Sequence, residues 1–508
     1  MAERFDVVII GGGATGTGVV RDLAMRGLGC LLVEKDDLAA GTSGRFHGLL
    51  HSGGRYAVKD PHSAVECIRE NKIVREIAPQ CVEDTGGYFV ALKDDDPEYV
   101  RLWAEACAQA GIEAEEMSLL EFKKAEPAVN PALQKVYRVP DAAVDGFSLC
   151  TANALAAERA GSRVKTYTRL LGFKREDKRI VGVLLKDVRT GREWEAECRL
   201  VINAAGAWAA QVGQMAGVHL DIIPDKGALA VFNHRLTSKV LNRLRPPGDG
   251  DIFVPHGSVS ILGTTSRAVI DPEDNLPSRS EVLKLLAEGV QMIPDLPEMR
   301  LIRAFAGVRP LYQEAGSGSG RQATRGFAII DHGRTDGVAG LVSVVGGKLT
   351  TYRLMAQAVS DLAASLLGND KPCRTHLEPL PDLGIGQGRG QGREKEYLCQ
   401  CEMVSKEMLE AAAAGREVFS LSDIRRLTRL GMGPCQGTFC TLRAAGFYHD
   451  RGRVTAGQAN ALIREHAEER WKGNRAVLWG EQAQEMELNR GIFLSLLDID
   501  RLGRDGRA

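Results

Sequence analysis

Gly11, Gly13 and Gly16 form a G-x-G-x-x-G run directly after the apolar segment FDVVIIG (5–11). Glycine is what such a turn demands: the first permits a tight reversal, the second lets backbone approach a pyrophosphate, and the third lets a helix press on a strand. The next segment, ATGTGVVRDLAMRG (14–27), reads as that helix. Ala14 and Thr15 fall in its first turn, whose free N–H groups and positive dipole end attract phosphate. Glu34 ends the following strand, CLLVEK (30–35), 23 residues after Gly11, where a carboxylate can accept from ribose hydroxyls. Glycines, strand, helix and acid together predict a dinucleotide site.

Cys399, Cys401, Cys435 and Cys440 form a second reactive set: a C-x-C pair, 33 intervening residues, then a C-x4-C pair. Four thiolates suit a tetrahedral zinc ion and a [2Fe–2S] cluster alike. The tight C-x-C differs from the paired C-x-x-C knuckles usual in zinc ribbons. Seven further cysteines are scattered singly, so 11 in 508 residues do not describe a secreted disulfide framework.

The elements that must carry these residues alternate short apolar runs with amphipathic stretches, the pattern of an α/β protein. Residues 60–78 and 96–110 read as helices, and 170–206 as β-hairpin material ending in a buried strand. Residues 377–396 are rich in Gly, Pro, Gln and charge, which marks a linker. Beyond it the chain turns helical. The division expected is 1–380 for an oxidoreductase unit, 381–396 for the linker, 397–450 for a cysteine-bearing module and 451–508 for a helical extension. Hydrophobic residues are 44% and charged residues 26%, ordinary for a globular enzyme. The formal net charge of -1 supplies no global field toward nucleic acid or lipid, so an anionic ligand needs a local basic group. No apolar run approaches the ~18 residues of a membrane span, and MAERFDVVIIGGG lacks the basic and apolar regions of an export signal. A cytoplasmic protein is expected, attached to a membrane through partners if at all.

Two features favour FAD over NAD. The dinucleotide motif stands at the very start of the chain, and VINAAGAWA (201–209), with Ala205 and Gly206, resembles the second strand and turn that pack on flavin in glutathione-reductase-type proteins. GTSGRFHGLLHSGGRYAV (41–58), with Thr42 and Ser43, is similar to the loop lying along pyrophosphate and isoalloxazine there. HSGGRY (51–56), AGVRPL (306–311), ATRGF (323–327) and GGKLTTYR (346–353) occur in the order seen in FAD-dependent glycerol-3-phosphate dehydrogenases, and the chain resembles that family over roughly residues 5–370. The fold class implied is α/β plus β: a glutathione-reductase/D-amino-acid-oxidase-like FAD domain with an antiparallel-sheet substrate cap.

The resemblance implies site residues position by position. Arg309 and Arg325 would clamp the phosphate of glycerol 3-phosphate, since Arg offers planar bidentate donors. Lys348 would lie near flavin and substrate, with Gly347, Leu349 and Thr350 at the flavin. Arg55 and Tyr56 would line the site, and His51 and His234 are candidate bases, with Lys348 a third. Isolated arginines are usually surface charges and lone histidines usually structural. Arg309 departs from that pattern because it lies between apolar residues just before Pro310.

Residues 397–450 resemble the bacterioferritin-associated-ferredoxin-like [2Fe–2S] domain, closest in RRLTRLGMGPCQGTFC (425–440), though that ferredoxin has C-x2-C where this chain has C-x4-C. With the tail 469–497, the resemblance extends to the anaerobic branch of the dehydrogenase family. It implies oxidation of glycerol 3-phosphate to dihydroxyacetone phosphate. It also implies two partners, an iron–sulfur membrane subunit and a second flavoprotein subunit, which pass electrons to quinone on the inner face of the cell membrane. Two other readings stay open: a related dehydrogenase for a 2-hydroxyacid or amine, and a non-catalytic flavin sensor with structural zinc.

Overall fold

Strand β1 (Glu3–Ile10) is exposed at its first residues and buried from Val7 onward, as an apolar run entering the middle of a sheet should be. The computed structural model describes residues 3–312, 326–385, 396–416 and 419–496. β1 pairs in parallel with β2 (Cys30–Val33) on one side and with the strand Glu193–Asn203 on the other. Helix α1 (Ala14–Met25) crosses between β1 and β2. The hairpin expected at 170–206 is present as Thr168–Glu176 against Arg179–Asp187, feeding Glu193–Asn203. Leu341–Gly346 adds to the same eight-stranded sheet beside Val201–Asn203, so the segment before Lys348 ends at the same sheet edge as Ala204–Gly206. Helices Pro61–Ile77 and Pro97–Gln109 stand where the sequence places them, each with an Asp N-cap and Pro in the first turn.

A nine-stranded second sheet takes strands from two separate stretches, Gly87–Val139 and Ile222–Tyr312, so the cap is interleaved with the FAD-type domain. Its pairs are antiparallel, with the exception of Gly87–Leu92 against Val240–Arg243, which is parallel. A parallel neighbour needs a long crossover, and the chain's excursion through the first sheet supplies one. The longest pairing in the cap joins Ile222–Phe232 to Leu301–Tyr312 and sets Asp225 opposite Arg309.

The cysteine-bearing segment is helical: Lys406–Ala413, Leu421–Thr428 and Cys440–Asp450, with Leu462 of the helix Ala456–Asn474 in the same apolar cluster as Cys399, Ile424 and Tyr448. Polar contacts join this module to both sheets. Asp423, fully buried, accepts from Tyr167 Oη, from Arg426 Nη1 at 3.0 Å and from Arg189 Nη2 at 3.0 Å. Arg426 also reaches Asp37, three residues after Glu34, at 3.2 Å. On the cap side Ser258 Oγ donates to Glu402 at 2.6 Å and Asn474 donates to the Ile302 carbonyl at 2.8 Å.

Helix Pro61–Ile77 is tied to helix Tyr352–Leu367 by a bidentate pair, Arg353 Nε and Nη2 to Glu70 at 2.8 and 2.5 Å, with both side chains at most 2% exposed. Removing one member of a buried pair strands the other charge, at about 3–5 kcal/mol. Glu70→Ala is therefore expected to shift the urea unfolding midpoint strongly downward. Arg101→Ala, on the exposed surface of Pro97–Gln109, should leave it in place.

Candidate functional site

The cradle is built from backbone. A Cβ placed on Gly16 would lie 1.9 Å from the Gly11 carbonyl oxygen, and one on Gly11 would lie 2.6 Å from the Ala204 oxygen. Gly11 itself has φ +113°, a conformation other residues rarely adopt. The turn after β1 and the turn after Glu193–Asn203 are thus pressed together with no room for side chains. Gly13 offers no side-chain cap to α1, and the Ala14 N–H donates to Ser43 Oγ at 2.9 Å. Glu34 sits deep on the cavity wall, accepting from the N–H groups of Gly12 at 2.7 Å and Asp36 at 2.9 Å. Burial raises its pKa and those two N–H donors oppose the rise.

From this cradle a cavity of about 870 Å³ runs into the cap, at the upper end of the ~300–1,000 Å³ usual for ligand pockets. Its wall brings together nearly all the residues singled out in the sequence. Gly11, Gly13, Ala14, Thr15 and Glu34 line one end, and Thr42, Ser43, Ala205 and Gly206 the middle. His51, Arg55, Tyr56, Arg309 and the Gly347–Thr350 turn line the far end. Gly16 lies behind the wall, where its function is close packing. The residues fit FAD on these grounds: a side-chain-free cradle, a helix N-terminus opening onto it, an acid at the second strand and a cavity extending well past them. Arg325 lies outside the described residues.

At the far end the turn before Lys348 requires left-handed backbone at Gly346 (φ +83°) and Gly347 (φ +79°). This aims Lys348 Nζ at Ser63 Oγ, 3.0 Å away, and over the Tyr56 ring, 5.0 Å from its centroid. The His51 ring is 5.5 Å from that of Tyr56, and the His51 N–H donates to Thr350 Oγ1 at 3.1 Å. Arg309 Nε meets the buried carboxylate of Asp225 at 3.1 Å, while Nη2 donates to the Thr265 carbonyl at 2.5 Å. Arg55 Nη2 lies 3.3 Å from buried Asp251, which Arg245 also engages at 2.7 Å.

The structure sets His234 apart from the other site residues. It is exposed and does not line the cavity. It follows Phe232, the end of the cap strand Ile222–Phe232, and stands seven residues beyond cavity-lining Gly227, roughly 20 Å along an extended chain. Sequence reading misses Asp225 and Asp251, whose partners lie far away in the chain and carry no local signal. It also passes over His47, inside the loop 41–58, which lines the cavity beside His51.

The four cysteines converge as an open chain. Cys399 and Cys401 sulfurs are 3.7 Å apart, Cys399 neighbours Cys440, and Cys401 neighbours Cys435. Thiol donors pull Cys399 below the ordinary thiol range and Cys435 down to about 6, while Cys401 and Cys440 hold their protons. Among the described residues no group of three or more His, Cys, Asp or Glu is spaced to hold a metal ion.

Residues 6–362 match the family "FAD dependent oxidoreductase". The chain is 39% identical to a subunit of the anaerobic glycerol-3-phosphate dehydrogenase of Escherichia coli K12, over 99% of both chains. The FAD-complexed glycerol-3-phosphate dehydrogenase of Bacillus halodurans superposes with a TM-score of 0.58 at 20% identity, covering 97% of this chain and 85% of that one. Glycine oxidase from Geobacillus kaustophilus superposes at 0.59 and 20% identity, over 77% of this chain and 100% of that one. The fold thus serves amine and alcohol substrates alike, and does not choose between them.

Gly16→Ala must part α1 from the β1 turn by about 1 Å to clear the Gly11 oxygen. The variant is expected to purify with most of its flavin absorbance lost, read as the ratio of visible to 280 nm absorbance, with the wild type retaining it.

Proposed function

The chain belongs to the FAD-dependent oxidoreductases and, within them, to the anaerobic glycerol-3-phosphate dehydrogenase family, and from that premise we propose how its residues oxidise sn-glycerol 3-phosphate to dihydroxyacetone phosphate. The observation that carries this is the cavity itself: the dinucleotide cradle opens into it, and Arg55, Arg309 and Lys348 all line it. An amine or a lone carboxylate does not call for that much positive charge; a phosphate monoester does.

FAD would be held by Gly11, Gly13, Ala14, Thr15 and Glu34, with Thr42, Ser43, Ala205, Gly206 and the Gly347–Thr350 turn along its length, and when bound it supplies a two-electron hydride acceptor. Arg309 binds the phosphate, its guanidinium fixed by Asp225 and the Thr265 carbonyl before substrate arrives. Arg325 would join it. Arg55, held against Asp251, adds a second guanidinium for the phosphate, and Tyr56 orients the glycerol backbone. Lys348 places an ammonium near the C2 oxygen and favours the alkoxide-like charge that grows there. His51 takes the C2 hydroxyl proton, its backbone fixed by Thr350 Oγ1.

The four cysteines would hold a [2Fe–2S] cluster, which takes electrons one at a time. Their number and their convergence, with Cys399 beside both Cys401 and Cys440 and Cys401 beside Cys435, support this. Onward transfer would run to quinone through two partners, an iron–sulfur membrane subunit and a second flavoprotein subunit, on the inner face of the membrane. The support is that the Escherichia coli relative is named as one subunit of a larger enzyme. Among the described residues no helix is long and apolar enough to cross a membrane.

Anaerobic stopped-flow mixing with sn-glycerol 3-phosphate should bleach the flavin in wild type. Arg309→Met, with flavin retained, should raise the half-saturating concentration by about 100-fold, roughly 3 kcal/mol. Bleaching by a 2-hydroxyacid or amine instead would overturn the substrate. For the cysteines, anaerobically reconstituted protein should contain iron and acid-labile sulfide in equal amounts and give a one-electron paramagnetic signal on reduction. Cys435→Ser should lose it, and zinc without sulfide in the wild type would sink the cluster.

A further inference from the structure

His47 lies in the loop between the cradle and the substrate end, and nothing in the proposed reaction uses it. Its ring stands against that of His51, edge to face, with centroids 5.6 Å apart, and both line the cavity. The Leu49 N–H donates to His47 Nδ1 at 3.1 Å. A neutral imidazole has one accepting and one donating nitrogen. With Nδ1 occupied as the acceptor, Nε2 carries the hydrogen and is a donor.

The charged neighbours keep it so. The two groups whose fields act on His47 are the guanidiniums of Arg55 and Arg309. Burial and these two cations drive its pKa down to about 3. A ring that resists a second proton and whose accepting nitrogen is engaged is poorly suited to remove a hydroxyl proton. It is well suited to donate one hydrogen bond to an oxygen that is already anionic, the role a neutral imidazole plays as an electrophile.

We propose that His47 is a further substrate-binding residue, its Nδ1 taken by the Leu49 N–H and its Nε2–H serving a phosphoryl oxygen of glycerol 3-phosphate held between Arg55 and Arg309. This rests on the phosphate-binding reading of that wall. The phosphate dianion brings acceptor oxygens, and the two arginines that draw it in add to burial in holding His47 uncharged. A neutral donor adds a hydrogen bond without adding a further like charge to a pocket already lined by Arg55, Arg309 and Lys348. His51, across the ring contact, is left for proton transfer.

The test compares wild type, His47→Leu and His47→Gln as flavin-loaded proteins, with flavin content checked by absorbance. Gln can present an amide N–H near the position of Nε2; Leu cannot. His47→Leu is expected to raise KM for glycerol 3-phosphate about tenfold, with kcat within about threefold of wild type. It should weaken inorganic phosphate, titrated by the flavin spectrum, by the same factor at pH 6 and pH 8. His47→Gln should recover most of both. A large fall in kcat at unchanged KM, with loss of the acidic limb of the pH profile, would make His47 the base and overturn the proposal. Unchanged KM and phosphate affinity in His47→Leu would overturn it too. Failure of wild type to oxidise glycerol 3-phosphate would be a failure of the parent reading, visible before any variant is compared.

Discussion

The contact on which the rest depends has no side chains in it. Where a Cβ on Gly16 would collide with the Gly11 oxygen, and one on Gly11 with the Ala204 oxygen, two strand-to-helix turns meet backbone to backbone. Their approach fixes the height of α1 over the sheet and therefore the direction of its N-terminus. It also fixes the loop that follows Glu34. Ser43 hangs on the Ala14 N–H, and Thr42 donates to the Val308 carbonyl of the cap strand at 2.5 Å. The same strand comes so near that a Cβ on Gly307 would lie 2.1 Å from the Arg45 oxygen. One loop thus transmits the position of the cradle to the strand carrying Arg309. Flavin end and substrate end are built as a unit, as a hydride transfer over a short, fixed distance requires.

Charge in the cavity is arranged before substrate arrives. Asp225 and Asp251 are buried and hold Arg309 and Arg55. Their desolvation has a cost, offset by guanidiniums that need no reorientation when a phosphate enters. Neither arginine is withdrawn from the cavity by its carboxylate, since both remain on its wall. This is pre-organisation in the electrostatic sense: donors fixed by the fold, aimed at where the ligand's charge will be.

Much of this was legible in the sequence, for a physical reason. The G-x-G-x-x-G run, the terminal Glu34 and the Gly346–Gly347 turn are local demands of backbone geometry, so they leave a short-range pattern. The helices Pro61–Ile77 and Pro97–Gln109 announce themselves through Asp–Pro starts. What stayed hidden depends on pairing between distant segments. Asp225 meets Arg309 through strand register across more than 80 residues, and Asp251 meets Arg55 across nearly 200. Nothing near Asp225 or Asp251 in the chain hints at either partner. His234 shows the converse: a histidine near a matching segment that lies just past the end of the cap strand at Phe232, seven residues beyond cavity-lining Gly227. His47 was in plain view, but only the Leu49 N–H on its ring and two arginines brought up from elsewhere give it a definite chemical character.

The net charge of -1 conceals a second concentration of cations beside the thiols. Arg303 leaves the cap strand on the module side, six residues before Arg309, and is pushed down to about 10 by burial and by Arg45 and Arg470. Arg425 is pushed down to about 9 by burial, Arg303 and Arg426. Arg470 is 5% exposed, donates to Thr438 Oγ1 at 3.0 Å inside the Cys435–Cys440 loop, and feels both of those sulfurs. Glu469 offsets part of this charge. Buried guanidiniums that repel one another are costly unless negative charge stands nearby. Four cysteines that give up their protons to iron would carry that charge, and would do so next to Arg470. The helix Ala456–Asn474 bearing Arg470 also donates from Asn474 to the Ile302 carbonyl of the Arg309 strand. The cations that would favour metal-bound thiolates are therefore anchored to the strand that carries Arg309, so docking of the module and its charge balance are one structural problem with one solution.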